Sequence, residues 1–63
     1  MKIKLTTDLP IADKHGAKKG RVFEVIGEGE GRQKLYYFIG DTGEKCGAFA
    51  RSECVVVEGK HNG

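Results

Sequence analysis

The stretch GDTGEKCGAFARSEC, residues 40–54, contains both cysteines of the chain and its clearest turn signal. The Asp-Thr-Gly step near its start fits a tight hairpin loop, because glycine readily takes the left-handed backbone conformation that such a loop needs. We expect residues 45–49 to return as the partner of the preceding strand. At most one helical turn, over residues 51–53, then separates this hairpin from a closing strand.

Strand patterns, rather than helical periodicity, occupy most of the chain. Polar and apolar residues alternate near the N-terminus, as they do in a strand with one buried face. The residues around Phe23 and Val25 are β-branched and aromatic, which favours a strand with these two side chains on one face. The sequence therefore predicts five short strands, at residues 2–5, 21–26, 34–39, 45–49 and 55–57.

Four segments lack the pattern of a strand. Pro10 has no amide donor and keeps the residue before it extended, so it interrupts the alternation. Residues 12–20 are polar and are predicted to form a long loop. Residues 27–31 alternate glycine with glutamate, so we expect a flexible loop tip there. Residues 59–63 are predicted to form a flexible polar tail.

The length of 63 residues allows one small domain, predicted over residues 1–58, with a single compact core. Short strands and frequent turns in so small an all-β chain favour a closed or nearly closed barrel, which also removes exposed strand edges. A deep substrate pocket would compete with the core for the same side chains. The size therefore argues against an enzyme.

The order of the predicted elements resembles that of the Src-homology-3-like (SH3-like) small barrels. The most specific match is residues 47–55, GAFARSECV, which look like the family's Gly-x-Ile-Pro-x-Asn-Tyr-Val segment. The resemblance implies a five-stranded barrel with a long first loop and a 3₁₀ turn before the last strand. It also implies that Phe49 replaces a buried isoleucine and that Cys54, with one extra residue before it, lies close to a buried valine position.

A second likeness is to small bacterial and phage SH3-like domains of unassigned function. It rests on four short motifs that follow one another in the same order, which are KGRVFEV at 19–25, YYFI at 36–39, DTGE at 41–44 and VVE at 56–58. This resemblance implies a small binding module, and it suggests a phage or prophage accessory protein.

The chain departs from the peptide-binding members of the SH3-like family. Those members grip polyproline helices in a groove lined by aromatic rings and a proline. Here Ala48 and Ala50 stand where the groove's aromatic residue and proline would be, and Ser52 or Glu53 replaces its tyrosine. The sequence also contains no tryptophan. We therefore expect no polyproline ligand.

Neither the cysteines nor the acids form a recognisable catalytic pattern. Cys46 and Cys54 are separated by seven residues, whereas structural zinc sites use close cysteine pairs and four ligands. A metal site or a functional disulfide is the less favoured alternative to a core role for Cys54, and Cys46 is left open between core and surface. The glycines at 27–31 lack the Gly-Lys-Ser/Thr of a phosphate loop. We predict no enzyme, no metal and no cofactor.

Charge is distributed unevenly along the chain, although the net charge is only +2. The first third is basic and the middle is acidic, which suggests either an anionic partner or only a solvated, dipolar surface. Residues 19–22, KGRV, loosely resemble the start of a KOW-type motif, whose barrels bind nucleic acid through loops. The candidate site is the basic loop, residues 14–21, together with whichever tyrosine faces outward. Its residues are Lys14, His15, Lys18, Lys19, Arg21, Tyr36 and Tyr37.

Two hypotheses of function follow. The first is a protein-interaction module that binds an unidentified partner through an exposed strand edge or through the surface at residues 36–38. The alternative is a nucleic-acid-binding module that uses the basic loop. No stretch has the length of a membrane span or the pattern of a signal peptide, and only two cysteines are present, so we predict a cytoplasmic protein without a membrane partner.

Overall fold

A computed structural model describes residues 1–58. For Glu58 it describes the backbone only. This part of the chain forms six strands in two antiparallel sheets of three strands each. The strands are β1 Lys2–Leu5, β2 Val22–Glu24, β3 Gly27–Gly29, β4 Leu35–Ile39, β5 Lys45–Phe49 and β6 Cys54–Glu58. A 3₁₀ turn spans Asp13–His15 between β1 and β2. The all-β prediction is confirmed, with one strand more than expected.

The first sheet has the order β2-β1-β6. The alternation predicted for β1 is observed, because Ile3 and Leu5 face the core while Lys2 and Lys4 face outward. Lys4 lies opposite Val22 on one side and opposite Val55 on the other. The central position of β1 therefore makes β2 and β6 the edge strands of this sheet.

The second sheet has the order β3-β4-β5, with β4 in the centre. Tyr36 and Phe38 point into the core, whereas Leu35, Tyr37 and Ile39 lie on the outer face. The hairpin between β4 and β5 is the predicted one, and Gly43 has the positive φ of +87° that its turn requires. In β5 the buried side chains are those of Cys46 and Ala48.

The chain passes from one sheet to the other between β2 and β3. The Val25 N–H donates to the Met1 carbonyl in the first sheet, and the next N–H, that of Ile26, donates to the Tyr37 carbonyl in the second sheet. The two ladders are thus joined by a bend of two residues.

The core lies between the two sheets. Phe23 of β2 and Phe38 of β4 stack with their ring centroids 4.3 Å apart. Around them pack the other buried apolar side chains, which are Ile3, Leu5, Leu9, Ala17, Tyr36, Cys46, Ala48 and Cys54. Both thiols are free. The core role predicted for Cys54 is confirmed, and Cys46, which the sequence left open, is also buried.

The glycine-rich segment differs from its prediction. Gly27 and Gly29 belong to β3, opposite Tyr37 and Leu35, and the loop tip begins after them. A Cβ atom added at Gly29 would lie 3.0 Å from the Tyr37 hydroxyl and 3.3 Å from the Leu35 Cβ. The absence of side chains is therefore what lets the side chains of β4 lie over this strand.

The segment before the last strand also differs from what the SH3-like resemblance implied. Residues 50–53 form a turn closed by the Glu53 N–H on the Phe49 carbonyl, and the 3₁₀ turn lies instead within the first loop. Phe49, expected to be buried, is 42% exposed because the alternation of β5 directs it outward. In residues 1–58 no ladder joins β5 to β6, so the two sheets are not closed into a barrel.

The burial of β1 predicts a contrast between two isoleucines. Ile3 is fully buried and Ile39 is 44% exposed. Ile3→Val should lower the free energy of unfolding by about 0.5–1.5 kcal/mol, because the lost methyl group leaves a cavity in the core. The matched change Ile39→Val should cost less. Urea denaturation followed by circular dichroism measures both values, and equal losses would contradict the assigned faces.

Candidate binding surfaces

The basic loop, residues 14–21, is held against the β4–β5 hairpin by His15. The His15 carbonyl accepts the Asp41 N–H at 2.9 Å. Its ring Nδ1 lies 2.9 Å from the Thr42 hydroxyl, and its Nε2 lies 3.5 Å from a Glu44 carboxylate oxygen. Only 9% of His15 is exposed. The imidazole therefore holds the loop against the hairpin instead of facing solvent.

Arg21 also holds the basic loop against the β4–β5 hairpin. Its guanidinium donates two hydrogen bonds to the Asp41 carboxylate, at 3.0 and 3.1 Å, and one to the Gly16 carbonyl at 3.0 Å. Gly16 has a φ of +71°, and a Cβ there would lie 2.0 Å from an Asp41 oxygen. Hydrogen bonding from Arg21 lowers the pKa of Asp41, and the same bond raises the pKa of Arg21. The charge of Arg21 is thus already matched by an acid.

The three lysines of the basic loop have different surroundings. Lys18 forms an ion pair with Asp13 at 2.5 Å, and hydrogen bonding from Lys18 lowers the pKa of that carboxyl group. Lys19 is exposed, and its backbone N–H donates to the Asp8 carboxylate at 2.8 Å. Lys14 is exposed on the 3₁₀ turn. Within residues 1–58, the side chains of Lys14 and Lys19 have no ion-pair partner.

The two candidate tyrosines lie on opposite faces of β4. Tyr36 is buried, so the predicted surface at residues 36–38 is mostly core, with only Tyr37 facing outward. The Lys45 ammonium group lies 4.5 Å from the centroid of the Tyr37 ring. In the described part of the chain no hydrogen bond, ion pair or ring contact joins Tyr37 to the basic loop. The structure therefore brings the loop residues together around the hairpin but leaves Tyr37 apart from them.

The edge of β6 is the most apolar exposed strand. Val55, Val56 and Val57 are 49%, 47% and 48% exposed. The Thr6 N–H donates to the Glu53 carbonyl, so hydrogen-bonded pairs alternate from that point along the β1–β6 ladder. Val55 then bonds to β1, whereas the main-chain groups of Cys54 and Val56 point to the open edge. An extended segment added there would find two sets of main-chain donors and acceptors.

The other edge strands are partly covered or are short, and β2, at the far edge of the first sheet, has only three residues. At the edge of β5, the Phe49 N–H donates to a Glu53 carboxylate oxygen at 2.9 Å, and the Phe49 carbonyl accepts the Glu53 N–H. The edge strand β3 has three residues, Gly-Glu-Gly, with little surface to pack against. Short and charged edge strands resist pairing, whereas a longer apolar one favours it. The β6 edge therefore stands out as the place for a partner strand.

An open groove of about 570 Å³ adjoins this edge on the outer face of the first sheet. It is lined by Lys4, Leu5, Thr6, Lys19, Gly20 and Val55. Lys4 and Lys19 are both exposed, and within residues 1–58 neither ammonium group has an ion-pair partner. The groove thus combines two cations with the apolar start of β6.

Sequence reasoning did not single out Lys4 or the valines of β6. A usable signal was present, because three consecutive valines cannot all face the core of a strand whose side chains alternate. The position of Lys4 between two valines depends on the strand order, which no local pattern reveals. Of the predicted site residues, Lys19 alone lines the groove.

No family model matched this chain, and searches of curated proteins and of solved structures found no significant match. Among residues 1–58, no group of three or more histidine, cysteine, aspartate or glutamate side chains is arranged to hold a metal ion. The same part of the chain contains no helix with the length and apolarity that a membrane crossing requires. The surfaces described above are therefore the basis for any functional assignment.

The buried thiols predict slow alkylation in the folded protein. With an opening free energy of about 1.4 kcal/mol or more, iodoacetamide should modify both cysteines at least about tenfold more slowly than in urea. Burial and then the charge of Glu53 raise the pKa of Cys54, which further disfavours its reactive thiolate in the folded state. Mass spectrometry over time measures each site. Alkylation of Cys46 in buffer at its rate in urea would contradict its inward position.

The Arg21–Asp41 pair predicts a pH-dependent contribution to stability. The pKa of Asp41 is lowered in the folded state, so its contribution is present above the unfolded value of about 3.9 and is lost as the pH falls through the folded pKa. Asp41→Asn should therefore destabilise the protein at pH 7 but not once the wild-type carboxyl is protonated. Thermal unfolding from neutral to acid pH tests this, with Glu30→Gln as the control. If the difference in stability between Asp41→Asn and the wild type persisted unchanged in acid, the role of the ion pair would be refuted.

Proposed function

We propose that this chain is a small, non-enzymatic binding module whose protein partner adds an extended strand to the edge of β6. The observation that carries the proposal is the exposure of about half of each of three consecutive valines on an edge strand. Strand addition obtains affinity from main-chain hydrogen bonds and selectivity from alternate side chains. The outward main-chain groups of Cys54 and Val56 supply the hydrogen bonds, and the valine side chains supply apolar contact.

We also infer that the fold is an open relative of the SH3-like barrel. Support comes from treating β2 and β3 as two halves of one bent strand, since their ladders are joined across Val25 and Ile26. Five strands then follow in the order expected from the resemblance, with the first loop long and a turn before the last strand. A role as a phage or prophage accessory protein and a cytoplasmic location stay predictions.

The nucleic-acid alternative has weaker support. Of the four cations in the basic loop, Lys18 and Arg21 are matched by Asp13 and Asp41. Breaking these pairs to contact phosphates would offset part of the electrostatic gain that normally drives such binding. His15 is buried against the hairpin, and Tyr37 lies apart from the loop. We therefore favour the protein partner and keep labelled RNA and DNA as comparison ligands.

Strand addition predicts a specific effect of proline at position 56. A library of random decapeptides displayed on phage is selected on the wild-type protein, and the affinities of the selected peptides are measured by fluorescence anisotropy. Val56→Pro should abolish binding, because proline removes the N–H that faces the open edge while edge positions tolerate its backbone geometry. Circular dichroism verifies that the variant is folded.

Val56→Ala is the matched control, because it keeps the N–H and trims only the side chain. It should weaken binding far less than the proline variant. The proposal fails if no peptide is selected, or if folded Val56→Pro binds the peptides as well as the wild type does. Tighter binding of labelled RNA or DNA, with a steep loss of affinity in salt, would favour the nucleic-acid alternative instead.

A further inference from the structure

The groove beside β6 indicates which side chains a partner strand would place there. In the first sheet, Val22, Lys4 and Val55 form one row across the outer face, because Lys4 pairs with the other two. The next position in this row is the residue of an added strand that stands opposite Val55. Its side chain would project over the same face as the Lys4 ammonium group.

The charges around this position are unbalanced. Lys4 and Lys19 line the groove, and within residues 1–58 neither ammonium group has an acidic partner. The Asp8 carboxylate accepts the Lys19 backbone N–H and, in the described part of the chain, forms no ion pair with either ammonium group. By contrast, the opposite end of β1 has acidic residues on both neighbouring strands, since Lys2 pairs with Glu24 and Glu58.

We propose that the strand added to β6 is acidic on its outward face, with a carboxylate placed over Val55 so that Lys4 and Lys19 neutralise it. This inference rests on strand addition as the proposed function and names the chemistry of the partner. Neighbouring strands lie roughly 4.8 Å apart, so Lys4 is about two strand spacings from the added residue. Extended lysine and glutamate side chains together span that separation. The Thr6 hydroxyl, which also lines the groove, is a further donor within it.

The two faces of the added strand would differ in character. Its outward residues meet Val55 and the two lysines, while its alternate residues stand beside Val56, on the side of the sheet that faces the core. A strand that alternates glutamate with valine satisfies both faces. Exposed ion pairs are individually weak, so each lysine should contribute about 2- to 5-fold in affinity at low salt.

Three synthetic peptides of matched length test this inference by fluorescence anisotropy. The probes are Thr-Val-Glu-Val-Glu-Val-Thr and its analogues with glutamine or lysine in place of both glutamates. The wild-type protein should bind the acidic peptide about 4- to 25-fold more tightly than the glutamine peptide at low salt, as two such ion pairs predict. The lysine peptide should bind most weakly. Added salt should shrink these differences.

Charge reversal separates a local effect from a global one. The double variant Lys4→Glu, Lys19→Glu should lose the preference and favour the lysine peptide. The double variant Lys34→Glu, Lys45→Glu makes the same change in net charge next to β4 and in β5, away from the groove, and should keep the acidic preference. Circular dichroism checks both folds. If the first variant does not fold, Lys4→Gln with Lys19→Gln replaces it, and the preference for glutamate over glutamine should then vanish.

The results distinguish this inference from the proposal on which it rests. Binding of the glutamine peptide as tightly as the acidic one, together with loss of binding in Val56→Pro, would overturn the acidic partner but keep strand addition. Absence of binding to the three peptides while selected decapeptides bind would overturn the acidic partner alone, and absence of binding to both sets would overturn both proposals. Equal losses in the two charge-reversal variants would reject the groove. Sedimentation showing that the chain pairs with itself through β6, or displacement of the acidic peptide by an oligonucleotide of equal charge, would assign another occupant and reject the proposal.

Discussion

The stacking of Phe23 on Phe38 is the contact that makes one domain out of two small sheets. Phe23 comes from β2 and Phe38 from the centre of the other sheet, and their rings lie 4.3 Å apart. Aromatic pairs of this kind bury large surfaces and add roughly 0.5–1.5 kcal/mol beyond burial alone. Because the chain is short, few other large side chains reach the core. The core is made by these rings and the other buried side chains, and the valines of β6 lie outside it, each about half exposed.

The exposed edge follows from that geometry. β1 is bonded on both sides and buries Ile3 and Leu5 completely, so β6 can pair with the sheet only as an outer strand. Closure of the barrel would have hidden the edge, but the turn at residues 50–53 instead covers part of β5 through Glu53. An unpaired apolar edge in a folded protein is either a hazard or an attachment site. Its position beside a basic groove favours an attachment site.

Much of the fold could be predicted from local patterns, and the failures have a common cause. The alternation in β1, the hairpin at Gly43 and the burial of Cys54 all follow from local patterns or from the resemblance. The strand β3 could not be predicted, because Gly27 and Gly29 have no intrinsic preference for a strand and are held there by pairing with β4. The outward position of Phe49 was not predicted, because the resemblance assigned Phe49 to a buried position. In the structure the alternation of β5 buries Ala48 and directs Phe49 outward.

The candidate site was predicted less well, because the sequence does not show which cations form ion pairs with acidic side chains in the folded protein. Arg21 and Asp41 are twenty residues apart and become a bidentate pair only because the loop folds onto the hairpin. Two of the four cations of the basic loop, Lys18 and Arg21, are therefore already paired with acids. His15 is buried where the loop contacts the hairpin. Lys4, which belongs to a strand and drew no attention in the sequence, keeps its charge available beside β6. Binding chemistry in this chain is therefore best sought where the fold leaves cations unmatched, and not where the sequence concentrates them.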